Sequence, residues 1–513
     1  MLKRITITFA TIILFTTVAR SQFLSDAVRL GSEPIGTGAR AISMGGTGIA
    51  TANDYSALDW NPAALTLINA GEVNFSLYFK GHNSTASFLG TSADQSVTNT
   101  ALGSFAYASA VPTRQGHLAF GISYDRVQDY NTTYSFSAVN PNSSFLNTQG
   151  FVNDPGFNSR NQKYSDYLSN LQQNNLAWQL YLTNPIADTL NPKLTTQFGK
   201  AGLLQTGTVT EEGGMNAIRI GGGIDVSENV SLGATANFFI GSYDYRRDYT
   251  ERDINNVIPS LDSVPPNGFK SATIVDTRHQ SQTGINLKLG LLATPSSFFS
   301  FGFTFETPTA YSVNDQFQRT GSSVFKDGST YSSLSFQQNP DVSSLNPTIV
   351  NNYTVTTPMK FAGGVAFKAA GLTVSAAADF SDQSQLRYSD ADVDLSDLND
   401  SARADLKAVL NWKLGAEYVI KPLGLILRAG YAMNPSPYKG DPSNFNTTNI
   451  SGGIGILLSS SAIAEITYRR TSYRTDHLLY SDIDITSGAL VTAAIPTDDV
   501  VQNLVMVSFS FRF

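Results

Sequence analysis

Apolar side chains recur at every second position in segment after segment of this chain. In the closing stretch Leu504–Phe513, Val505, Val507, Phe509, Phe511 and Phe513 share one face. Ser508, Ser510 and Arg512 share the other, with Leu504 and Met506 higher up on it. A period of two predicts a strand with one apolar and one mostly polar face. A strand that ends on the terminal aromatic matches the last strand of an outer-membrane β-barrel, with Phe513 at the membrane–water boundary.

The same alternation marks the rest of the chain. Val73, Phe75, Leu77 and Phe79 form one such face; Phe105, Tyr107 and Val111 another. A tight turn at Pro112–Gly116 leads into Leu118, Phe120, Ile122 and Tyr124. The next strand is expected from about Met215, through Ile218, Ile220 and Ile224, and it turns at Ser227-Glu228-Asn229 into Val230, Leu232 and Phe238. Ile285 to Leu291 turns at Thr294-Pro295 into Phe299 to Phe305; Met359 to Phe367 turns at Gly371 into Leu372 to Phe380. Trp412 to Ile420 and Leu425 to Tyr431 flank Lys421-Pro422, and Ile450 to Ile456 leads through Ser459–Ser461 to Ile466 and Tyr468. This gives about fourteen strands of the length a tilted membrane crossing needs. Every second connection is short and those between are long, as periplasmic turns alternate with extracellular loops. The fold class expected is therefore all-β: a 14-stranded antiparallel transmembrane barrel with both termini on the periplasmic side.

The N-terminus adds an export signal. Lys3 and Arg4 precede an uncharged, mostly apolar stretch from Ile5 to Val18, and Ala19-Arg20-Ser21 places cleavage before Gln22. The expected organisation is a signal peptide at 1–21, a separate N-terminal segment at 22–70 and a barrel at 71–513. The chain has no cysteine, which excludes a Cys-linked lipid anchor, disulfides and thiolate metal sites. Charged residues are only 15% and aromatics 11%, where a soluble domain carries about 25% charged residues; this suits a surface facing outer-membrane lipid. Without Lys3, Arg4 and Arg20 the balance is 31 basic against 41 acidic residues, a formal charge of −10, which argues against a nucleic-acid partner.

The longest connection, about 128–214, carries a helical stripe of Tyr164, Tyr167, Leu168, Leu171, Trp178 and Leu182, with Asn184-Pro185 expected to end it. It reads equally as a helix packed on its own loop and as an apolar landing surface at the extracellular mouth.

Residues 22–70 are different in kind. Gly31, Gly36, Gly38, Gly45, Gly46 and Gly48 punctuate a small-residue stretch without strand alternation and without the spacing of a phosphate-binding loop. Its apolar content favours folding into the barrel lumen. Gly38-Ala39-Arg40-Ala41 with Met44-Gly45-Gly46, then Asn53-Asp54 and Asn61-Pro62-Ala63, resemble the FadL/TodX family of outer-membrane transporters. Leu427-Arg428-Ala429-Gly430-Tyr431 with Asn434-Pro435-Ser436-Pro437 is similar to that family's late strand and loop. The resemblance implies a barrel plugged by an N-terminal hatch, with Asn53, Asp54, Asn61, Pro62 and Ala63 as the hatch motif. It implies uptake of long-chain fatty acids or aromatic hydrocarbons by loop capture, a pocket at the hatch and sideways release through the wall. The long connection at 128–214 departs from the family, so only the hatch motif transfers. A second expectation is a barrel similar to PorV, serving protein secretion as a scaffold. The barrel-assembly machinery is the expected partner of the C-terminal strand ending in Phe513. No cofactor is expected.

Period two also points Arg219, Lys288, Lys360, Lys413, Glu417, Arg428, Glu465 and Arg469 into the lumen, because a lipid-facing Arg or Lys near the midplane costs about 2–4 kcal/mol. These charges are expected to pair with each other and with Asp54 and Asp59 of the hatch, or to hold a carboxylate head group. Arg428 and Lys360 are the first choices for that role, with Arg219, Trp178 and Leu171 as further ligand-contact candidates. Catalysis finds no support. His82, His117, His279 and His477 are isolated, and Asp390, Asp392 and Asp394 lack the Gly and Glu of an EF-hand loop.

Overall fold

Fourteen antiparallel strands close into a ring in the computed structural model. It describes residues 17–145, 175–185, 194–196, 202–258, 268–333, 348–391, 395–479, 483–485, 489–491 and 493–513. The wall runs β1 (Glu72–Phe88), β2 (Thr91–Val111) and β3 (Leu118–Asp129, continued by Thr132–Asn140). Then follow β4 (Leu203–Ser227), β5 (Val230–Arg252) and β6 (Phe269–Ser296). Two interrupted strands come next, β7 (Phe299–Glu306 with Ala310–Phe325) and β8 (Ile349–Thr356 with Lys360–Ala369). β9 (Leu372–Asp382 with Arg387–Ser389), β10 (Ala408–Ile420) and β11 (Leu425–Asn434) are short. β12 (Thr447–Ser459), β13 (Ala462–Asp476) and β14 (Thr497–Arg512) complete the ring. Short strand pairs at Thr183–Pro185 with Leu194–Thr196 and at Ile483–Ile485 with Ala489–Val491 lie outside it.

β14 pairs with β1 from Glu72↔Arg512 to Ser87↔Thr497, so the seam is where the terminal strand predicts it. Gly71 and Phe513 exchange backbone hydrogen bonds of 2.9 Å, and Arg512 Nε donates to Glu72 Oε2 at 2.9 Å. The apolar faces point outward: Phe75, Phe105, Ile122, Ile220, Phe303 and Phe511 are all exposed around the wall. That exposed band is what hydrocarbon covers in a membrane barrel. With its fourteen-strand closed wall it makes the chain a multi-pass outer-membrane β-barrel, a fold of the Gram-negative bacterial outer membrane.

The structure corrects several boundaries. The polar stretch between Lys80 and Ser104 is not a loop: β1 and β2 continue through it to a two-residue turn at Leu89-Gly90, both with positive φ (48° and 86°). Likewise, β3 reaches Asn140 and β4 starts at Leu203 rather than near Met215, the two pairing from Thr132↔Glu211 to Asn140↔Leu203. In upper β2 neither face is apolar, so the alternation that marks a membrane strand disappears while the backbone ladder persists; in Thr132–Asn140 it continues through Tyr134, Phe136 and Ala138, which face an apolar core at the long-loop end. The wall is consequently tall over β4 to β6, where β5 has 23 residues, and low over β11, which has 10.

Helix α1 (Thr17–Gly31) starts before the expected cleavage point, and its described side chains from Leu24 onward lie in the upper lumen. Leu24, Ala27 and Leu30 pack there against Tyr130, Tyr243, Tyr311 and Tyr353 of the wall. The hatch below consists of α2 (Ala39–Ser43), a 3-10 turn at Gly48–Ala50, α3 (Ala57–Trp60) and a 3-10 stretch at Pro62–Leu67. A second apolar core closes the long-loop end, where Phe88, Phe136, Leu180, Leu182 and Phe325 meet. Helix α4 within it covers only Leu176–Gln179, and residues 183–185 form a strand, so Asn184-Pro185 does not end the helix. Tyr164, Tyr167, Leu168 and Leu171 lie outside the described residues.

Candidate functional site

The hatch is docked by charge and by close backbone approach. Arg40 of α2 makes two hydrogen bonds of 2.8 Å to the Glu417 carboxylate on β10. Arg428 on β11 donates to the same Glu417 at 2.7 Å and to Glu465 on β13 at 2.6 Å. On the other side Arg219 of β4 bridges Asp59 of α3 (2.9 Å) and Asp125 of β3 (2.5 Å). Lys288 of β6 lies 3.0 Å from Glu306 and 3.7 Å from Asp59, and donates to the Asp59 carbonyl at 2.6 Å. Lys413 bridges Glu33 (2.6 Å) and Asp379 (2.9 Å). Burial alone would raise the Asp59 pKa, but Arg219 and then Lys288 hold it below its ordinary value.

The hatch motif has a structural account. Asn61 Oδ1 accepts the Ala63 N–H at 3.1 Å, capping the Pro62–Leu67 turn, while its Nδ2 donates to Ile49 O (2.8 Å) and to Leu291 O of β6 (3.0 Å). One amide thus ends one hatch turn, starts the next and pins both to the wall. Pro62 sits at the first position of that turn, where its missing N–H costs nothing. Ala63 is fully buried. Asp54 accepts from the Ser56 N–H (2.9 Å) and hydroxyl (2.5 Å), and Asn53 accepts from Arg40 at 3.1 Å. Beneath the hatch the wall presents glycines. A methyl at Gly430 would collide with the Gly45 backbone nitrogen, and one at Gly290 with the Asn61 side chain.

Above the hatch lies an inner chamber of about 350 Å³, with Ile35, Ile42, Trp60 and Leu504 beside Lys80, Lys413 and Arg469. An outer chamber of about 860 Å³ follows, with Tyr134, Tyr243, Tyr438 and Tyr473 in its lining. Both are lined by Arg29, Thr132, Glu211 and Tyr473. Arg29, on the last turn of α1, stacks on Tyr243 with its guanidinium carbon 3.3 Å from the ring centre. Arg469 donates to Ile35 O at 2.5 Å, while its Nε is buried without an acceptor among the described residues.

The wall beside the inner chamber is interrupted. β2 and β3 pair from Val111↔Leu118 only to Ser104↔Asp125. Above that rung β2 pairs with β1, and β3, shifted in register at Arg126/Gln128, pairs with β4. Among the described residues the two upper halves touch by side chain: Asn99 Nδ2 to Asp129 Oδ2 (2.6 Å), Gln95 Nε2 to Ser135 Oγ (3.0 Å) and the Thr91 hydroxyl to Ser137 O (2.6 Å). Beside the gap the segment between α1 and α2 meets β3 at this shift, where the Ile35 N–H donates to Val127 O at 2.8 Å.

Of the sequence-named residues, Arg428 and Arg219 are buried and held by carboxylates. Lys360 is half-buried beside the break in β8, with no ion pair among the described residues. Trp178 is partly buried in the cap at the long-loop end, far in the chain from the hatch chamber's lining, and Leu171 lies outside the described residues. Sequence reasoning placed Arg469 in the lumen but did not single it out, because its distinction is that no carboxylate among the described residues pairs with it. Arg29 and Tyr243 were missed altogether: neither belongs to a motif. Among the described residues no group of three or more His, Asp or Glu side chains could hold a metal.

No protein-family model matches the chain, and no curated protein matches it by sequence. Solved structures do match. The crystal structure of a Pseudomonas aeruginosa FadL homologue superposes with a TM-score of 0.56 at 13% identity, over 94% of this chain and 99% of that one. The P. putida toluene transporter TodX gives a TM-score of 0.52 at 12% identity, over 93% and 99%. At this identity the likeness is one of fold, and it extends over nearly the whole of both chains.

Proposed function

We propose that this barrel takes up small hydrophobic molecules passively across the outer membrane, the class being long-chain fatty acids or aromatic hydrocarbons. The observation that carries the reading is the interrupted β2–β3 ladder lying against the inner chamber. A molecule captured at the long-loop mouth passes from the outer to the inner chamber, meets the hatch and leaves sideways between β2 and β3. Sideways release has a physical rationale, since an apolar ligand gains about 0.8 kcal/mol per CH₂ on entering lipid and nothing from an aqueous pore. The fold likeness to a protein described as a toluene transporter supports the same class.

The inner chamber is not purely apolar, and its polar groups bear on which end of a ligand it would hold. Arg428, Arg219 and Lys413 are engaged by carboxylates. Arg469 lines the inner chamber, pairs with no carboxylate among the described residues and has its Nε–H without an acceptor there, so it becomes the favoured partner for a head-group carboxylate, ahead of Arg428, which is paired, and Lys360, which lies outside that lining. A scaffold similar to PorV, the second reading, has no use for an opening in the wall.

The test joins Gln95→Cys to Ser135→Cys with a short thiol crosslinker across the open ladder, in a chain that has no other thiol. Toluene and oleate flux into proteoliposomes should fall to background on crosslinking. Full flux through the crosslinked protein overturns the sideways route, and background flux in the unmodified protein overturns transport itself.

A further inference from the structure

The wall has a low point where β10 ends at Ala408, and a helix covers the edge of β9 that this leaves free. β9 and β10 pair up to Asp382↔Ala408 and no further. Just below, at the rung Phe380↔Leu410, both side chains are exposed (44% and 55%), so the ladder stops at the upper edge of the apolar band. β9 turns through Gln383–Gln385 and resumes as Arg387–Ser389, paired with β8 alone. Its other edge, where β10 would lie, faces helix α5 (Ser396–Asp405).

α5 substitutes for the missing strand with a single side chain. Asn399 Oδ1 accepts the Tyr388 N–H at 2.8 Å, and Asn399 Nδ2 donates to Tyr388 O at 3.1 Å. Leu398 and Ala402 face inward, buried in the cluster that holds Leu24, Ala27 and Leu30 of α1. Ser401 and Asp405 line the outer chamber. Asp400, Arg403 and Ala404 are exposed. One layer of helix therefore separates the outer chamber from the surroundings at the membrane's upper boundary.

The helix is poorly self-sustaining. It has 10 residues, of which Ser396, Asp397, Asn399, Asp400, Ser401 and Asp405 are weak helix formers, and Leu395 at the N-cap offers no side-chain acceptor. A helix this short holds only through its tertiary contacts. Its C-terminal end is clasped: Lys439 Nζ donates to Arg403 O and Ala404 O, both at 2.8 Å, and Leu406 bridges Tyr438.

We propose that α5 is a shutter latched at its C-terminal end by the Lys439 clasp and at Asn399 by the Tyr388 backbone, and that releasing these latches admits hydrophobic molecules already dissolved in the outer leaflet to the outer chamber. The inference rests on the transport reading for its direction, but the portal can be tested without transport. Such access would suit ligands that partition into lipid before they meet the protein.

Leu406 and Tyr438 form an antiparallel pair flanked by Lys407 N–Pro437 O and Lys439 N–Asp405 O bonds, so they lack mutual hydrogen bonds and their Cα atoms are about 4.5 Å apart, within disulfide reach. In L406C/Y438C, oxidation should slow toluene flux reversibly, with dithiothreitol restoring it. Unchanged flux with the disulfide verified by mass overturns the portal while leaving transport intact. The second measurement needs no flux. Leu386, 2% exposed behind α5, is replaced by Cys and labelled with an uncharged maleimide predissolved in the bilayer. Adding Asn399→Ala removes two hydrogen bonds and should speed labelling about tenfold. Equal labelling with and without Asn399 overturns the shutter, whatever the flux assays give.

Discussion

Arg40 and Glu417 lie 377 positions apart and meet through two parallel hydrogen bonds of 2.8 Å, with Arg428 completing the hub on the wall side. The hatch is thereby tied to β10 and β11 by one carboxylate shared between two guanidiniums. Removing the carboxylate leaves Arg40 without its ion pair and Arg428 with Glu465 alone, and breaking such a buried pair costs about 3–5 kcal/mol. Glu417→Ala should release this side of the hatch without unfolding the barrel. In planar bilayers its single-channel conductance should rise well above that of the unaltered protein, while the heat-modifiable migration of the folded barrel persists. Unaltered conductance would show that the hub does not hold the plug.

Steric seating makes an independent prediction. Gly430→Val places a side chain where the Gly45 backbone lies, and overpacking of this kind costs about 1–3 kcal/mol or displaces the intruded segment. The same leak as in Glu417→Ala is expected. Gly363→Ala is the control, because nothing lies within 4 Å of a methyl added there.

Asp59 sets the acid limit of docking. Its folded pKa lies below the ordinary carboxylate value, so its contribution is complete above the unfolded pKa of about 3.9 and is lost as pH falls through the folded value. The hatch should stay docked from neutral pH to about 5 and loosen below about 4. Conductance titrated against pH reads this directly, and Asp59→Asn should weaken docking at neutral pH and flatten the titration.

Arg469 separates ligand classes. If its free Nε–H meets a carboxylate, Arg469→Gln removes a charge-assisted bond worth about 1.5–3 kcal/mol for oleate and nothing for toluene. Oleate uptake should fall roughly tenfold or more with toluene unchanged. Equal losses for the two would assign Arg469 to holding the Ile35 carbonyl alone.

Much of this was legible in the chain itself. Membrane strands alternate because lipid lies on one side and packed lumen on the other, and that contrast is local. Thus Phe513, Phe511 and Phe509 announced an outward face, Arg219, Lys288 and Arg428 an inward one, and the short turns counted the strands. The glycine-punctuated segment before Glu72 likewise announced a plug, since so many small residues suit a chain packed closely on a wall. What the tertiary structure decided is everything that depends on partners far apart. Which lumenal cation is engaged and which keeps a free donor follows from Glu417, Glu465 and Asp59 arriving from other strands and from the hatch. The upper part of β2, from Thr91 to Thr100, carries no apolar face and so left no period to read, whereas Tyr134, Phe136 and Ala138 of β3 do alternate, facing a core that exists only once Leu180, Leu203 and Phe325 arrive from elsewhere in the chain. Among the described residues the gap in the wall is a run of missing rungs between β2 and β3, and the edge under α5 is where β10 stops short of β9. A missing rung is a relation between two strands, and neither strand's own residues record it.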